Sequence, residues 1–201
     1  MMISEVKTIV VGKTIPEVVL RCFRHNADLF KSAKIPYTIE TFTRDMKFSC
    51  PGVQAEYEKL RFLSSRSNVL VTDWDIYFLS IPQFAEKGLY FGTWSHNNRS
   101  DTFLAFYNDE KWKSFFSLYK REIDNIPDDE KRLIRPGFTM RLSRTIKSFT
   151  IPLESYIHLQ TNCGMESIRN DYGDLPEQRR LWTERTCLDK LGFTLGVENG
   201  R

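Results

Sequence analysis

The sequence predicts an α/β fold, a single domain built on a mixed, mainly parallel sheet. Three observations predict it. Strand-like and helix-like patterns alternate strand, helix, strand, helix, strand through residues 6–75, the order of βαβ units rather than of an all-β fold. The length of 201 residues suits one core of useful size and makes two full domains unexpected. No internal repeat or low-complexity linker divides the chain.

Taken in order, "VKTIVVGKTIP" predicts a buried first strand over 6–11, ended by Gly12. "PEVVLRCFRHNADLFKSA" follows with Pro16 at a first helical position and with Val19, Leu20, Phe23, Leu29 and Phe30 at helical spacing. "PYTIETF" alternates as a second strand over 37–42. After Pro51 and Gly52, "VQAEYEKLRFLSSR" reads as a second helix with Tyr57, Leu60 and Leu63 on one side. The apolar run 69–72 is the third strand. "GLYFGTWS" predicts another strand, and "DEKWKSFFSLYKREIDNI" a helix capped near Asp109. "PLESYIHLQT" holds a late strand or extended segment. "PEQRRLWTERTCLDKLGF" reads as a terminal helix, entered at 174–176 and stopped by Gly192.

A composition 41% hydrophobic and 27% charged is that of an ordinary globular protein, and 15 Phe, 8 Tyr and 4 Trp argue against disorder. A net charge of +3 does not by itself imply a nucleic-acid partner. Its distribution is uneven: Lys131, Arg132, Arg135, Arg141, Arg144 and Lys147 fall in a stretch without an acid. That stretch is either a solvated basic face or a surface for phosphates. Cys22, Cys50, Cys163 and Cys187 show no C-x-x-C spacing, so neither a zinc knuckle nor a redox motif is expected. The charged "MMISEVKTIVVGK" does not read as a secretory signal, and no apolar run approaches about 18 residues. A cytoplasmic location is therefore expected, and Asn98-Arg99-Ser100 is a chance sequon.

The stretch "SNVLVTDWDIYFLS" carries the most chemistry. Asp73 and Asp75 straddle Trp74 directly after a buried strand, at the end of the sheet where α/β folds collect ligands. Alternation along an extended chain points the two carboxylates to one side and Trp74 to the other. Two such charges side by side call for a cation or hydrogen-bond donors. Carboxylate oxygens suit Mg²⁺ or Mn²⁺, which commonly keep waters and bridge to phosphates. The plain alternative is turn chemistry, since aspartates at strand ends often begin turns. The chain holds neither G-x-x-x-x-G-K-[ST] nor G-x-G-x-x-G, so P-loop and dinucleotide-binding readings lack their signature.

With these residues in view, "KTIPEVVLRCFRHNADLF", "YTIETF" and "EYEKLRFLSSRSNVLVTDWDIYF" resemble the opening half of DXD-type nucleotide-sugar glycosyltransferases. The nearest likeness is to family 32, which includes capsular polysaccharide and mannosyltransferase enzymes. It covers roughly residues 8–80, and only the D-x-D and its approach are specific. It implies a GT-A-like, Rossmann-like domain over 1–201, with a nucleotide-sugar-binding half at 1–80 and an acceptor-side half with the terminal helix at 81–201. It implies a metal site at Asp73 and Asp75, completed by His158 of "SYIHLQTN" in the role of the family's late histidine, where the plain alternative is a packed strand histidine. Donor contacts are implied at Val11, Gly12, Lys13, Glu58, Arg61 and Trp74. Glu58 and Arg61 stand for the family's helix pair, which usually has Asp as its acid. Ser67-Asn68 stands where the family has Gly-Gly. Trp94, His96 and Asp101 in "FGTWSHNNRSD" are the acceptor-side candidates, with Trp94 as core aromatic the plainer reading.

The expected function is transfer of a sugar from a nucleoside-diphosphate donor to an acceptor hydroxyl, with Mn²⁺ or Mg²⁺, and by resemblance with retention of configuration. The acceptor stays open between a saccharide, a lipid-linked saccharide, a protein and a modified DNA base, with the basic stretch 131–147 as a surface for a polyanion. Two rivals stand beside it. One is a metal-dependent nuclease or phosphohydrolase using the same carboxylates, although such sites commonly gather further acids. The other is a non-enzymatic α/β module that binds nucleic acid or another partner and in which D-W-D is a turn.

Overall fold

A computed structural model describes residues 3–12, 15, 17–43, 47–48, 50–95, 98–99, 105–131 and 146–158. The terminal helix expected after 174, most of the basic stretch, Lys13, His96 and Asp101 lie outside the described residues.

The elements run β1 (Glu5–Val11), α1 (Glu17–Ser32), β2 (Tyr37–Phe42), α2 (Pro51–Ser65), β3 (Val69–Thr72), β4 (Ile76–Phe78), β5 (Leu89–Phe91), β6 (Thr93–Ser95), β7 (Asn98–Arg99), β8 (Ala105–Tyr107), α3 (Lys111–Asp124), α4 (Asp128–Lys131), β9 (Phe149–Thr150) and β10 (Tyr156–His158). The main sheet has six strands in the order β2-β1-β3-β8-β5-β9. β1 pairs in parallel with β2 and β3, and β5 with β9, whereas β8 runs antiparallel to both of its neighbours. The mixed, mainly parallel α/β sheet is thus the class the sequence predicts. β10 and β4 form a separate antiparallel ribbon, and β6 and β7 another.

Side-chain alternation on β1 and β3 splits the core between two faces. Ile9, Val69 and Val71 pack with Tyr57, Leu60 and Leu63 of α2 and with the aromatic face of α3, which is Trp112, Phe115, Phe116 and Tyr119. Val6 and Leu70 pack on the other face with Phe30 of α1 and with Ile76 and Phe78 of β4. Each of these buried side chains contributes roughly 1.5–3 kcal/mol relative to exposure.

The helix ends have identifiable causes. α1 closes with Lys34 in the left-handed region at φ 59°, where the Ile35 and Lys34 N–H groups donate to the Phe30 and Lys31 carbonyls. This is a Schellman-type stop made without glycine. α2 starts on Pro51, and the Gln54 side-chain oxygen accepts the N–H groups of Lys47 (2.7 Å) and Phe48 (3.2 Å) just before the helix. At α3 the N-cap is Glu110, and Asp109 just before it accepts the Lys111 N–H at 3.2 Å, so the helix starts within a residue of where the sequence places its cap. Asn68, in the Gly-Gly position of the resembled family, has φ 60° and opens β3. Asparagine tolerates that conformation better than most residues other than glycine.

Two expectations change. The single strand expected over "GLYFGTWS" is two: β5 joins the main sheet, while β6 pairs with β7. Gly88, at φ +155°, brings β5 in under β9, for a Cβ there would lie 2.7 Å from the Phe149 ring. β8 is an addition, a short buried strand inserted between β3 and β5.

Candidate functional site

β3 leaves the ladder with β1 at the pair Thr8–Thr72, whose hydroxyls lie 2.8 Å apart, while β1 runs on to Val11. The D-W-D segment therefore emerges at the carboxyl edge of the parallel strands, beside the end of β1. Two helices on opposite faces of the sheet hold it there.

On the α2 face the ammonium of Lys59 donates to Asp73 Oδ1 in an ion pair. The Lys59 side chain is 1% exposed and that of Asp73 24%, so a fully dehydrated ammonium meets a carboxylate still open to solvent. A lysine enters a protein interior only when such a partner compensates its lost hydration. On the α1 face, Trp74 packs against Val10, Val19 and Phe23. Asp75 is buried at 4% exposure. Burial, together with the nearby Asp75 charge, pushes the Cys22 thiol of α1 up to about 11. Immediately beyond, α1 grips β4. Asn26 donates to the Ile76 carbonyl (2.7 Å) and accepts the Phe78 N–H (3.0 Å), and His25 Nε2 donates to the Phe78 carbonyl at 2.7 Å.

The geometry of the two acids differs from the extended alternation expected. Trp74 and Asp75 form a turn, so the chain does not continue as a strand through them. Asp73 engages α2, whereas the charge of Asp75 is felt on α1. Trp74 does lie on the face away from Lys59, as alternation requires.

Gly12 ends β1 at φ +144°, its N–H donates to the Phe42 carbonyl at 3.0 Å, and a Cβ there would meet nothing within 4 Å. Backbone at this edge can be approached closely, which is what glycine provides. Val11 beside it is half-buried. Glu58 and Arg61 do form a pair, Arg61 Nε donating to Glu58 at 2.6 Å. Arg61 also donates to Glu40 of β2 at 2.7 Å, and Gln54 to Glu58 at 2.8 Å. These bonds tie α2 to the edge of the sheet, and the helix residue that meets the D-W-D is Lys59 instead.

His158 ends β10, where its backbone pairs with Ile76, the residue after Asp75. The topology thus brings this position of the chain next to the D-W-D turn. Trp94 falls in β6. Among the described residues no group of three or more His, Cys, Asp or Glu could hold a metal ion. The donor chemistry at Asp73 and Asp75 still fits a hard divalent cation, which takes carboxylate oxygens and completes its shell with water or phosphate oxygens.

Sequence reasoning missed Lys59 and Asn26. Lys59 stands three residues after buried Glu56 and four before buried Leu63, on one inward stripe of α2. A lysine on such a stripe is the signal that could have found it. Asn26 carries a comparable signal, lying four residues before the buried Phe30.

No protein-family model matches the chain, and no curated protein matches it. Among solved structures, the chain is similar to the crystal structure of a glycosyltransferase involved in the glycosylation of the major capsid of PBCV-1. The TM-score is 0.48 at 8% identity, over 89% of this chain and 98% of that one. A likeness at that level transfers neither donor, acceptor nor site residues. No helix among the described residues is long and apolar enough to cross a membrane.

Proposed function

We propose that this chain is a GT-A-like glycosyltransferase that takes a sugar from a nucleoside-diphosphate donor, with Asp73 and Asp75 as the seat of a Mn²⁺–diphosphate or Mg²⁺–diphosphate. The observation that carries the reading is the D-W-D turn. It leaves a fully buried strand at the carboxyl edge of the parallel strands, beside an open glycine at the end of β1. Ligands of open α/β sheets collect at that edge. The resemblance of residues 8–80 to DXD-type transferases, whose specific part is this same D-x-D and its approach, points the same way.

In this reading Asp73, the more exposed acid, binds the cation directly, and buried Asp75 adds its charge beside it. A divalent cation held there supplies positive charge against the departing nucleoside diphosphate. Val11 and Gly12 line the approach for the donor nucleoside, with Lys13 and Trp74 beside them, and His158 adds an imidazole to the metal shell. Glu58 and Arg61 act through the helix, holding α2 and hence Lys59 in place. Trp94, His96 and Asp101 form the acceptor side, and the stretch 131–147 receives a polyanionic acceptor. Retention of configuration comes from the resemblance alone and asks for no strong general base. Hydrolytic rivals that gather acids around two cations find no third acid grouped with Asp73 and Asp75 among the described residues.

The test is a panel of UDP-, GDP- and CDP-sugars with Mn²⁺, read by thermal shift and by release of nucleoside diphosphate. A ligand that binds the folded state raises apparent stability with the logarithm of its concentration. At least one donor should raise the melting temperature and be slowly hydrolysed. Silence from every donor, with the protein folded, removes the reading.

A further inference from the structure

We propose that Lys59 is a built-in counter-cation of the D-W-D seat, a positioning residue that competes with the divalent ion for Asp73 and so sets how strongly the seat takes metal. The proposal rests on the reading of Asp73 and Asp75 as a metal–diphosphate seat and adds to it a residue and a control on loading.

Three observations carry it. The Lys59 ammonium is in direct contact with Asp73 Oδ1. Its side chain is 1% exposed, so water screens its charge little on that side. The carboxylate it holds is the one that remains open to solvent, at 24% exposure, and is therefore the one an incoming cation meets. A divalent ion on Asp73 would sit a few ångströms from a dehydrated ammonium, and like charges that close repel. Metal loading must then either share the carboxylate with Lys59 or turn the ammonium away from it.

On the same helix Glu58 is engaged by Arg61 and Gln54, and Glu56 is buried at 6% exposure. The ordinary role for such a lysine is neutralisation of a half-buried acid. In that role, removing Lys59 leaves metal affinity unchanged or lowers it through disorder at Asp73. In the competing role, removing it raises metal affinity. The two roles predict opposite signs.

The experiment is a titration of the full chain with Mn²⁺ alone, free ion being followed by electron paramagnetic resonance, for wild type, Lys59→Met and Asp73→Asn. Lys59→Met should bind Mn²⁺ about tenfold tighter than wild type or better, a change of about 1.4 kcal/mol. Asp73→Asn should lose binding. Equal or weaker affinity in a folded Lys59→Met protein overturns the competition and leaves the D-W-D seat standing. Mn²⁺ affinity that survives Asp73→Asn, or no Mn²⁺ binding by any of the proteins, overturns both the competition and the seat. Cooperative thermal unfolding checks the fold of each variant. Lys59→Gln, neutral and of similar reach, gives the same reading if the methionine variant does not fold.

Discussion

The two helices that flank the D-W-D turn hold it by different physics. α1 works through hydrogen bonds to backbone and apolar packing: Asn26 and His25 bind the backbone of β4, and Val19 and Phe23 pack on Trp74. α2 brings buried charge: Lys59 to Asp73, with Glu56 and Glu58 also covered. Side-chain hydrogen bonds to strand backbone fix position. A buried ion pair is poor at adding stability, because desolvation offsets most of its attraction, but it leaves a strong local field. The contrast assigns scaffolding to the α1 side and electrostatics to the α2 side.

The largest expected effect breaks the scaffolding side. Asn26→Leu removes both side-chain bonds to β4 and strands the Ile76 carbonyl and Phe78 N–H in the core. It should lower unfolding free energy by about 2–4 kcal/mol, measured by urea denaturation. A loss below about 0.5 kcal/mol would mean that β4 is held by other means.

The next prediction sharpens the electrostatic side, one helix further out. Asp124 of α3 accepts from Tyr57 (2.6 Å), Lys120 (2.6 Å) and Lys47 (3.1 Å), which clamps the approach to α2. Burial alone would raise its pKa, but bonds from Lys120, Tyr57 and Lys47 outweigh that and hold it below 3.8. A depressed folded-state value stabilises the protein above the ordinary carboxylate pKa. That contribution is lost as pH falls from about 4 through the lowered value. Asp124→Asn should therefore be less stable at neutral pH and show a flatter loss below pH 4, followed by thermal melts across pH. The same burial and the bond to Asp124 push the Tyr57 hydroxyl up to about 12, so this clamp does not ionise near neutrality.

The smallest effect concerns the end of α1. Lys34 is exposed and sits at φ 59°, so Lys34→Gly removes left-handed strain without touching the core. A gain of about 0.5–1 kcal/mol is expected by denaturant titration.

Much of this architecture was legible in the residues. The strands over 6–11, 37–42 and 69–72 and the helices between them have strong periodicity, and the structure differs from them only by a residue or two at most ends. β8 was not legible, because "AFY" is too short to show a period and becomes a strand only by pairing with β3 and β5. The division of "GLYFGTWS" was hidden for the same reason: which sheet each half joins depends on distant strands. At the site, Asp73 and Asp75 stood out because acids follow an unbroken apolar run. The turn they enter did not, since a turn at Trp74 and Asp75 overrides strand alternation. Lys59 falls on the inward stripe of α2 three residues after Glu56 and four before Leu63, but that spacing alone does not name the acid it meets. Only the packing of α2 on the sheet brings it to Asp73.

The central claim is that Asp73 and Asp75 together seat a metal-bound diphosphate. Its most direct test is calorimetric titration of the wild type with UDP and GDP in the presence of Mn²⁺, repeated on Asp73→Asn and Asp75→Asn. The account predicts that whichever nucleotide the wild type binds is weakened about 100-fold or more by either substitution, roughly 2.7 kcal/mol, with the folded state intact. Affinity undiminished in both variants would contradict it and return the D-W-D to the role of a turn.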